Sequence, residues 1–252
     1  MPKERLDKIL SSQGLCSRRE AGALIRRGLV SVNGAPAENP DRKFDPLLDE
    51  ITVDGKKLVF RRFEYLMMNK PAGVLSASRD RREKTVLDLL PPELSRRGLF
   101  PAGRLDRDTE GLLILTDDGD YAHRMLSPKS HVYKIYHAVL DFPIEKDDIE
   151  AFACGVEMKD FSSLPAKLSI LPKSEAPYLD MPPECFAAVE IREGKFHQVK
   201  RMFAARGKTV LALKRVRIGT LRLDESLLPG QARRMAPSEV MAVFHGNEGG
   251  FL

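Results

Sequence analysis

The loop Pro101-Ala102-Gly103-Arg104-Leu105-Asp106-Arg107-Asp108-Thr109-Glu110-Gly111 runs straight into Leu112-Leu113-Ile114-Leu115. Charge meets an unbroken apolar run without a transition, so the run reads as a buried strand and the charged residues as the loop that enters it. Such a loop can present a carboxylate to a substrate, because the strand holds the side chain rigidly. A lone aspartate in a loop is more commonly a turn or capping residue. Asp106 therefore needs partners from distant segments before it can be given chemistry.

Upstream, residues 5–13 put Leu6, Ile9 and Leu10 on one helical face, with Gly14 placed to close the helix. Ser17-Arg18-Arg19-Glu20 reads as a capping box, followed by Ala21, Leu24 and Ile25 at helical spacing and Gly28 as the stop. Residues 29–32 favour a strand, Asn33-Gly34 a hairpin turn, and Ile51-Thr52-Val53-Asp54-Gly55 another strand and turn. Arg18, Arg19, Arg26 and Arg27 cannot face inward with Leu24 and Ile25, so they form a basic face that suits phosphates or plain solvation equally. Arg61-Arg62 then precede a fresh apolar strand, Tyr65-Leu66-Met67-Met68, and a boundary near residue 60 divides the chain into 1–60 and 61–252. The second part alternates strand-like runs at 112–115, 133–140, 187–191 and 210–213 with helices at 121–126 and 198–205, an α+β pattern.

Charge is informative where it is local. The chain carries a net +5 with a pI near 9.1, a weak pointer to a polyanion. Between residues 192 and 217, however, Arg192, Lys195, Lys200, Arg201, Arg206, Lys208, Lys214, Arg215 and Arg217 face the single acid Glu193. No run approaches the length of a membrane helix, and MPKERLDKIL lacks the apolar core of a signal peptide, so a cytoplasmic protein is expected. Cys16, Cys154 and Cys185 lack the spacing of a zinc site or disulfide framework. The acids Asp106, Asp108, Glu110, Asp117, Asp118 and Asp120 raise the alternative of a magnesium-dependent nuclease. Against it, Asp117-Asp118-Gly119-Asp120 is well explained as a turn and N-cap for a helix starting at Tyr121.

RLDKIL, SRREAGALIRRGLVSVNG and DEITVDG together resemble the S4 RNA-binding domain over roughly residues 5–60. GRLDRDTEGLLILTDDG resembles the central motif of pseudouridine synthases, in which an aspartate stands at the position of Asp106. Lys134-Ile135-Tyr136 matches that family's K-x-Y pattern, and EGKFHQVKRMFAARGKTVLALKRVRIG its C-terminal motif, which implies Tyr136 as the active-site tyrosine and Lys200 as the basic partner of Asp106. Phe196-His197 before Gln198, Met-Asn-Lys-Pro at 68–71 and the closing R-I-G-x-L-x-L-D are most similar to the small-subunit, or RsuA, group. That resemblance implies a small S4-like domain followed by a mixed, mainly antiparallel sheet with flanking helices and a central cleft. It also implies 16S ribosomal RNA as substrate, at uridine 516 in the family's naming. Large-subunit RNA, or RNA binding without catalysis, are the rival readings.

The chemistry suits these residue types. Moving the C1′ bond of a uridine from N1 to C5 changes neither redox state nor atom count, so no cofactor or metal is called for. It needs a carboxylate kept ionised, as nucleophile or as base toward C2′, and a nearby cation does this. Tyr136 offers a face for the base and a phenol to relay a proton. Arg104, beside Asp106, suits bracing the gap left when the base is extruded, or serving as a second ion-pair partner. Arg5, Lys8, Arg18, Arg19, Arg26 and Arg27 from the S4-like part, and His197, Gln198, Arg201, Lys214 and Arg215 from the basic stretch, are the candidate RNA contacts. A monomer acting on ribosomal RNA, with no membrane partner, is expected.

Overall fold

The computed structural model describes residues 3–95, 98–172 and 181–245. The chain forms two compact units, one of Met1–Glu64 with Pro91–Leu99 and one of Tyr65–Leu90 with Phe100–Leu252.

In the first unit β1 (Glu4–Arg5) leads into α1 (Leu6–Ser12) and α2 (Arg18–Arg26). Strands β2 (Val30–Val32), β3 (Ala35–Pro36), β4 (Lys43–Phe44), β5 (Ile51–Val53) and β6 (Lys56–Lys57) follow. Four of them make a sheet in the order β3-β2-β5-β6, and β1 pairs with β4. Leu6, Ile9, Leu10, Ala21 and Ile25 from the helices close over Val30, Val32 and Ile51, the apolar face that the helical spacing requires. The capping box is present, with Ser17 accepting from the Glu20 amide and Glu20 accepting from the Ser17 amide. Asn33 and Gly34 are both left-handed (φ 54° and 80°), the geometry of a tight hairpin turn. Arg5, expected inside the first helix, is instead extended and pairs with Lys43.

The second unit contains β7 (Tyr65–Lys70), β8 (Phe100–Ala102), β9 (Glu110–Thr116), α3 (Gly119–Leu126), β10 (Lys134–Leu140) and α4 (Lys146–Cys154). It continues through β11 (Lys167–Ile170), β12 (Phe186–Ile191), α5 (Gln198–Ala205), β13 (Val210–Ile218), β14 (Leu221–Arg222), β15 (Ala232–Arg234) and α6 (Pro237–Ala242). The sheet order is β11-β12-β10-β13-β9-β7-β15, with β14 on β13 and β8 on β9. Among the strand pairs of the described residues only β9–β13 is parallel, so the sheet is mixed and mainly antiparallel, with helices beside it. Strand β9 is buried from Gly111 to Thr116, as a continuous apolar run at the middle of a sheet demands. Strand β10 alternates from Lys134 to Ala138 between buried and half-buried positions, so Lys134 and Tyr136 share a face. The strand expected at 210–213 runs on to Ile218, because Lys214 and Arg215 are paired on one side by β10 and on the other by β9. Asp118 caps α3 by accepting from the Tyr121 amide at 3.0 Å, and it also accepts from the Tyr65 hydroxyl at 2.5 Å. That cap removes Asp118 from the proposed acidic metal cluster.

Candidate active site

The Asp106 loop is held from beneath by a lysine. Lys70, at the end of β7, is fully buried, and its ammonium donates to the carbonyls of Asp106 (3.1 Å), Arg107 (3.1 Å), Thr109 (2.9 Å) and Pro71 (3.0 Å). Burial pushes the Lys70 amine down to about 8, against the opposing pull of Asp108, Glu110 and Asp106. Ser76 adds a second clamp, donating to the Leu105 carbonyl at 2.9 Å and accepting from its amide at 3.1 Å. The Asp106 carbonyl also accepts from the Thr109 amide, closing a turn. The backbone under the carboxylate is thus fixed by groups that sequence reading had not assigned. In the sequence, Met-Asn-Lys-Pro carries a family likeness but no role for its lysine.

Above this scaffold, Lys200 and His197 from the N-terminal end of α5 approach Asp106. The Lys200 Nζ lies 3.5 Å from Asp106 Oδ2, and the His197 Nε2 lies 3.5 Å from Asp106 Oδ1. Lys200 does reach Asp106, but its tighter partner is Asp108, at 2.5 Å. The hydrogen bond from Lys200 holds the Asp108 carboxyl below the ordinary carboxylate range. The Asp106 side chain is 26% exposed, partly open to a substrate rather than sealed. Arg104 is exposed, and the contacts of Asp106 run to the Lys200 ammonium and the His197 imidazole rather than to it. His197 thus faces the carboxylate as well as the surface.

Tyr136 belongs to a neighbouring group. One row of backbone pairings crosses the sheet from Lys70 to Gly111, Arg215 and Tyr136. Gly111 is left-handed (φ 100°), and a Cβ there would stand 2.2 Å from the Arg215 carbonyl oxygen, so glycine is required where the Asp106 loop enters β9. Arg215 is 5% exposed, donating from Nε to the Leu112 carbonyl at 2.9 Å and from Nη1 to the Tyr136 hydroxyl at 3.4 Å. Its Nη2 and the Thr109 hydroxyl are buried polar atoms without a partner among the described residues. Lys134, 7% exposed, has no carboxylate partner among the described residues, and burial, with Arg215 nearby, pushes it down to about 8. The Asp106 and Tyr136 groups are linked through β9, whose first residues carry both the loop and the Arg215 contact.

Several expected RNA contacts are buried or paired within the protein. Arg215 is a buried tether of Tyr136 and β9. Gln198 is 4% exposed and caps its own loop, accepting from the Lys195 amide and donating to Glu193. Arg201 is ion-paired to Asp160 and lies over the Phe161 ring. Arg206 and Lys208 hold the buried Asp148 of α4 at 3.0 and 2.7 Å. The stretch 192–217 is therefore not one electrostatic surface, because packing consumes much of its charge, although Lys214 remains exposed. In the first unit Arg5 and Arg18 both bind Asp7. Burial pushes the Asp7 carboxyl up, but these hydrogen bonds overcome it and leave it lowered. Lys8 pairs with Glu4 at 3.1 Å, while Arg19, Arg26 and Arg27 are exposed, as expected of a basic face.

One unit carries a basic helical face, and the other a mixed sheet that presents a loop carboxylate next to a cation, the class of a two-part enzyme for a polyanionic substrate. Residues 4–46 match the S4 domain, residues 64–205 match the family described as RNA pseudouridylate synthase, and the chain belongs to that family. It is 44% identical, over 94% of its length and 96% of the relative, to the uncharacterized RNA pseudouridine synthase YtzG of Bacillus subtilis. It is 38% identical to the ribosomal small subunit pseudouridine synthase A of Vibrio cholerae and to that of Escherichia coli, over 95% of this chain and 99% of each. A solved structure described as a pseudouridylate synthase superposes with a TM-score of 0.64 at 35% identity, covering 95% of this chain and 99% of the other.

Proposed function

We propose that this enzyme isomerises a uridine of small-subunit (16S) ribosomal RNA to pseudouridine, uridine 516 in the family's naming, with Asp106 as the essential carboxylate. The observation that carries the mechanism is the approach of the Lys200 ammonium and the His197 imidazole to Asp106, on a loop whose carbonyls Lys70 holds rigid. The full-length likeness to enzymes named for the small ribosomal subunit supports the choice of RNA.

In this reading Asp106 acts once the uridine is extruded from its stack, attacking the ribose or the base, or taking a proton from C2′. Lys200 keeps the carboxylate ionised as water is excluded. The C1′–N1 bond breaks, C1′ bonds to C5 as the bond to Asp106 breaks or Asp106 returns the C2′ proton, and the C5 proton leaves through the Tyr136 hydroxyl, which Arg215 orients. N1 ends protonated, so atoms and electrons balance with no cofactor. Arg104 braces the vacated stack. The exposed Arg19, Arg26 and Arg27 meet phosphates, so affinity falls steeply with salt. The enzyme works as a cytoplasmic monomer. No helix among the described residues is long and apolar enough to cross a membrane.

Wild-type and Asp106→Asn proteins are incubated with naked 16S RNA, 23S RNA and assembling small subunits, and pseudouridine is mapped by chemical labelling. Label on small-subunit RNA with wild type alone is expected. Equal label from both proteins removes Asp106 from catalysis, and label confined to 23S RNA replaces the target.

A further inference from the structure

Phe196 is an anomaly of this surface. It is 75% exposed, the second most exposed of the large apolar side chains after Leu48 among the described residues, and it stands immediately before the residue that faces Asp106. Its ring is not loose. It stacks nearly parallel on the His197 imidazole, with centroids 3.8 Å apart and planes 19° from each other. His197 is itself in the left-handed region (φ 50°, ψ 31°), one of four non-glycine residues so placed among those described. At Asn33 and Asp54 a polar turn residue makes this easy. At His197 the backbone turns the imidazole toward Asp106, starts α5 at the next residue and leaves Phe196 outside.

The imidazole thus has two neighbours, the Asp106 carboxylate at its Nε2 and the Phe196 ring on its face. One face of Phe196 is covered by His197 and the other is bare. The neighbouring Lys195 is engaged by the Phe161 ring and Glu193, and Lys200 by Asp108, so the ring itself is what this surface offers. An exposed aromatic face is the arrangement that holds an unpaired base by stacking.

We propose that Phe196, backed by His197, is a stacking platform for an unpaired base next to the target uridine. The inference rests on the function proposed above and adds a binding site to it. The neighbour is named rather than the target because His197, not Phe196, contacts Asp106. The reacting ribose must lie against the carboxylate, so a base on the outer face of Phe196 belongs to the adjoining nucleotide. Stacking reads a π face, not a hydrogen-bonding edge, so the platform selects for an unpaired neighbour and tolerates its identity.

The test uses short RNAs carrying the target uridine with 2-aminopurine as the 5′ or the 3′ neighbour. Wild type and Phe196→Tyr are expected to quench one of the two positions on binding. Phe196→Ala and Phe196→Leu are expected to lose that quenching and to raise KM by roughly 5- to 150-fold, with kcat held within about threefold. Leucine keeps apolar bulk on His197, so its failure separates stacking from mere packing, and unchanged melting temperatures show that the variants fold. Wild-type KM and quenching in both the Ala and Leu variants overturn the proposal. If wild type forms no pseudouridine, the function proposed above fails, while quenching and affinity still decide the platform.

Discussion

Lys200 is bound more closely by Asp108 than by Asp106, at 2.5 Å against 3.5 Å. Asp108 is the more exposed of the two acids, with 73% of its side chain accessible against 26% for Asp106. The cation is thus parked on a solvent-facing acid within reach of the one proposed to react. Excluding water on RNA binding strengthens whichever pair is less exposed, which favours transfer of Lys200 to Asp106. Lys200→Met should lower kcat by at least about 100-fold, as expected when a charged catalytic group loses its partner. Asp108→Asn should leave kcat within about threefold, because it frees Lys200 rather than removing it. Single-turnover rates on saturating RNA check both, and a large loss in Asp108→Asn would make Asp108 part of the reacting pair.

Lys70 holds the carbonyls of residues 106, 107 and 109 with one ammonium. Lys70→Met leaves those acceptors without their donor and should destabilise the protein by about 3–5 kcal/mol. In the fraction that remains folded, kcat should fall while RNA affinity is preserved, since the loop that carries Asp106 is loosened and no RNA contact is lost. Urea unfolding and filter binding separate the two effects. Stability equal to wild type would show that the carbonyls find other donors.

Arg215 spans the Leu112 carbonyl and the Tyr136 hydroxyl with a planar fork that lysine cannot reproduce. Arg215→Lys should cost about 2–4 kcal/mol of stability and lower kcat at least about tenfold through a misplaced Tyr136, with the salt dependence of binding unchanged. A reduced salt slope at unchanged kcat would instead restore Arg215 as a phosphate contact.

Lys134 and Lys70 both sit near a pKa of 8, yet they should respond oppositely to truncation, because only Lys70 is surrounded by acceptors. For Lys134 the folded value lies below the unfolded 10.5. The fold therefore disfavours the charged form, with full effect below pH 8. As pH rises from about 8 to 10.5 the folded chain gives up the proton first, the unfolded chain binds more protons, and this group's cost disappears. Lys134→Met should be more stable than wild type by up to about 3 kcal/mol at pH 7, with the difference vanishing toward pH 10.5. Paired urea titrations across that range give the answer, and a pH-independent difference would refute the linkage.

Much of the local structure was legible in the amino-acid sequence. The Ser17–Glu20 capping box, the Asn33-Gly34 turn, the Asp118 cap and α5 over Gln198–Ala205 stand where caps and spacing put them. These are contacts within a few residues, which periodicity and turn chemistry report directly. The apolar run from Leu112 likewise announced a central strand, and the charge before it announced the loop of Asp106.

Which charged residues face solvent was settled only by the tertiary structure. Arg215, Lys134, Lys70 and Arg19 are alike as letters, since a cation reads the same whether hydrated or enclosed. Register across the sheet set Lys70, Gly111, Arg215 and Tyr136 in one row, joining segments that lie far apart in the chain. Packing then buried all four of them. The sequence by itself determined the elements and the loop on which Asp106 stands. The structure decided what Asp106 faces, because pairing register and desolvation are properties of segments brought together, and no local pattern records them.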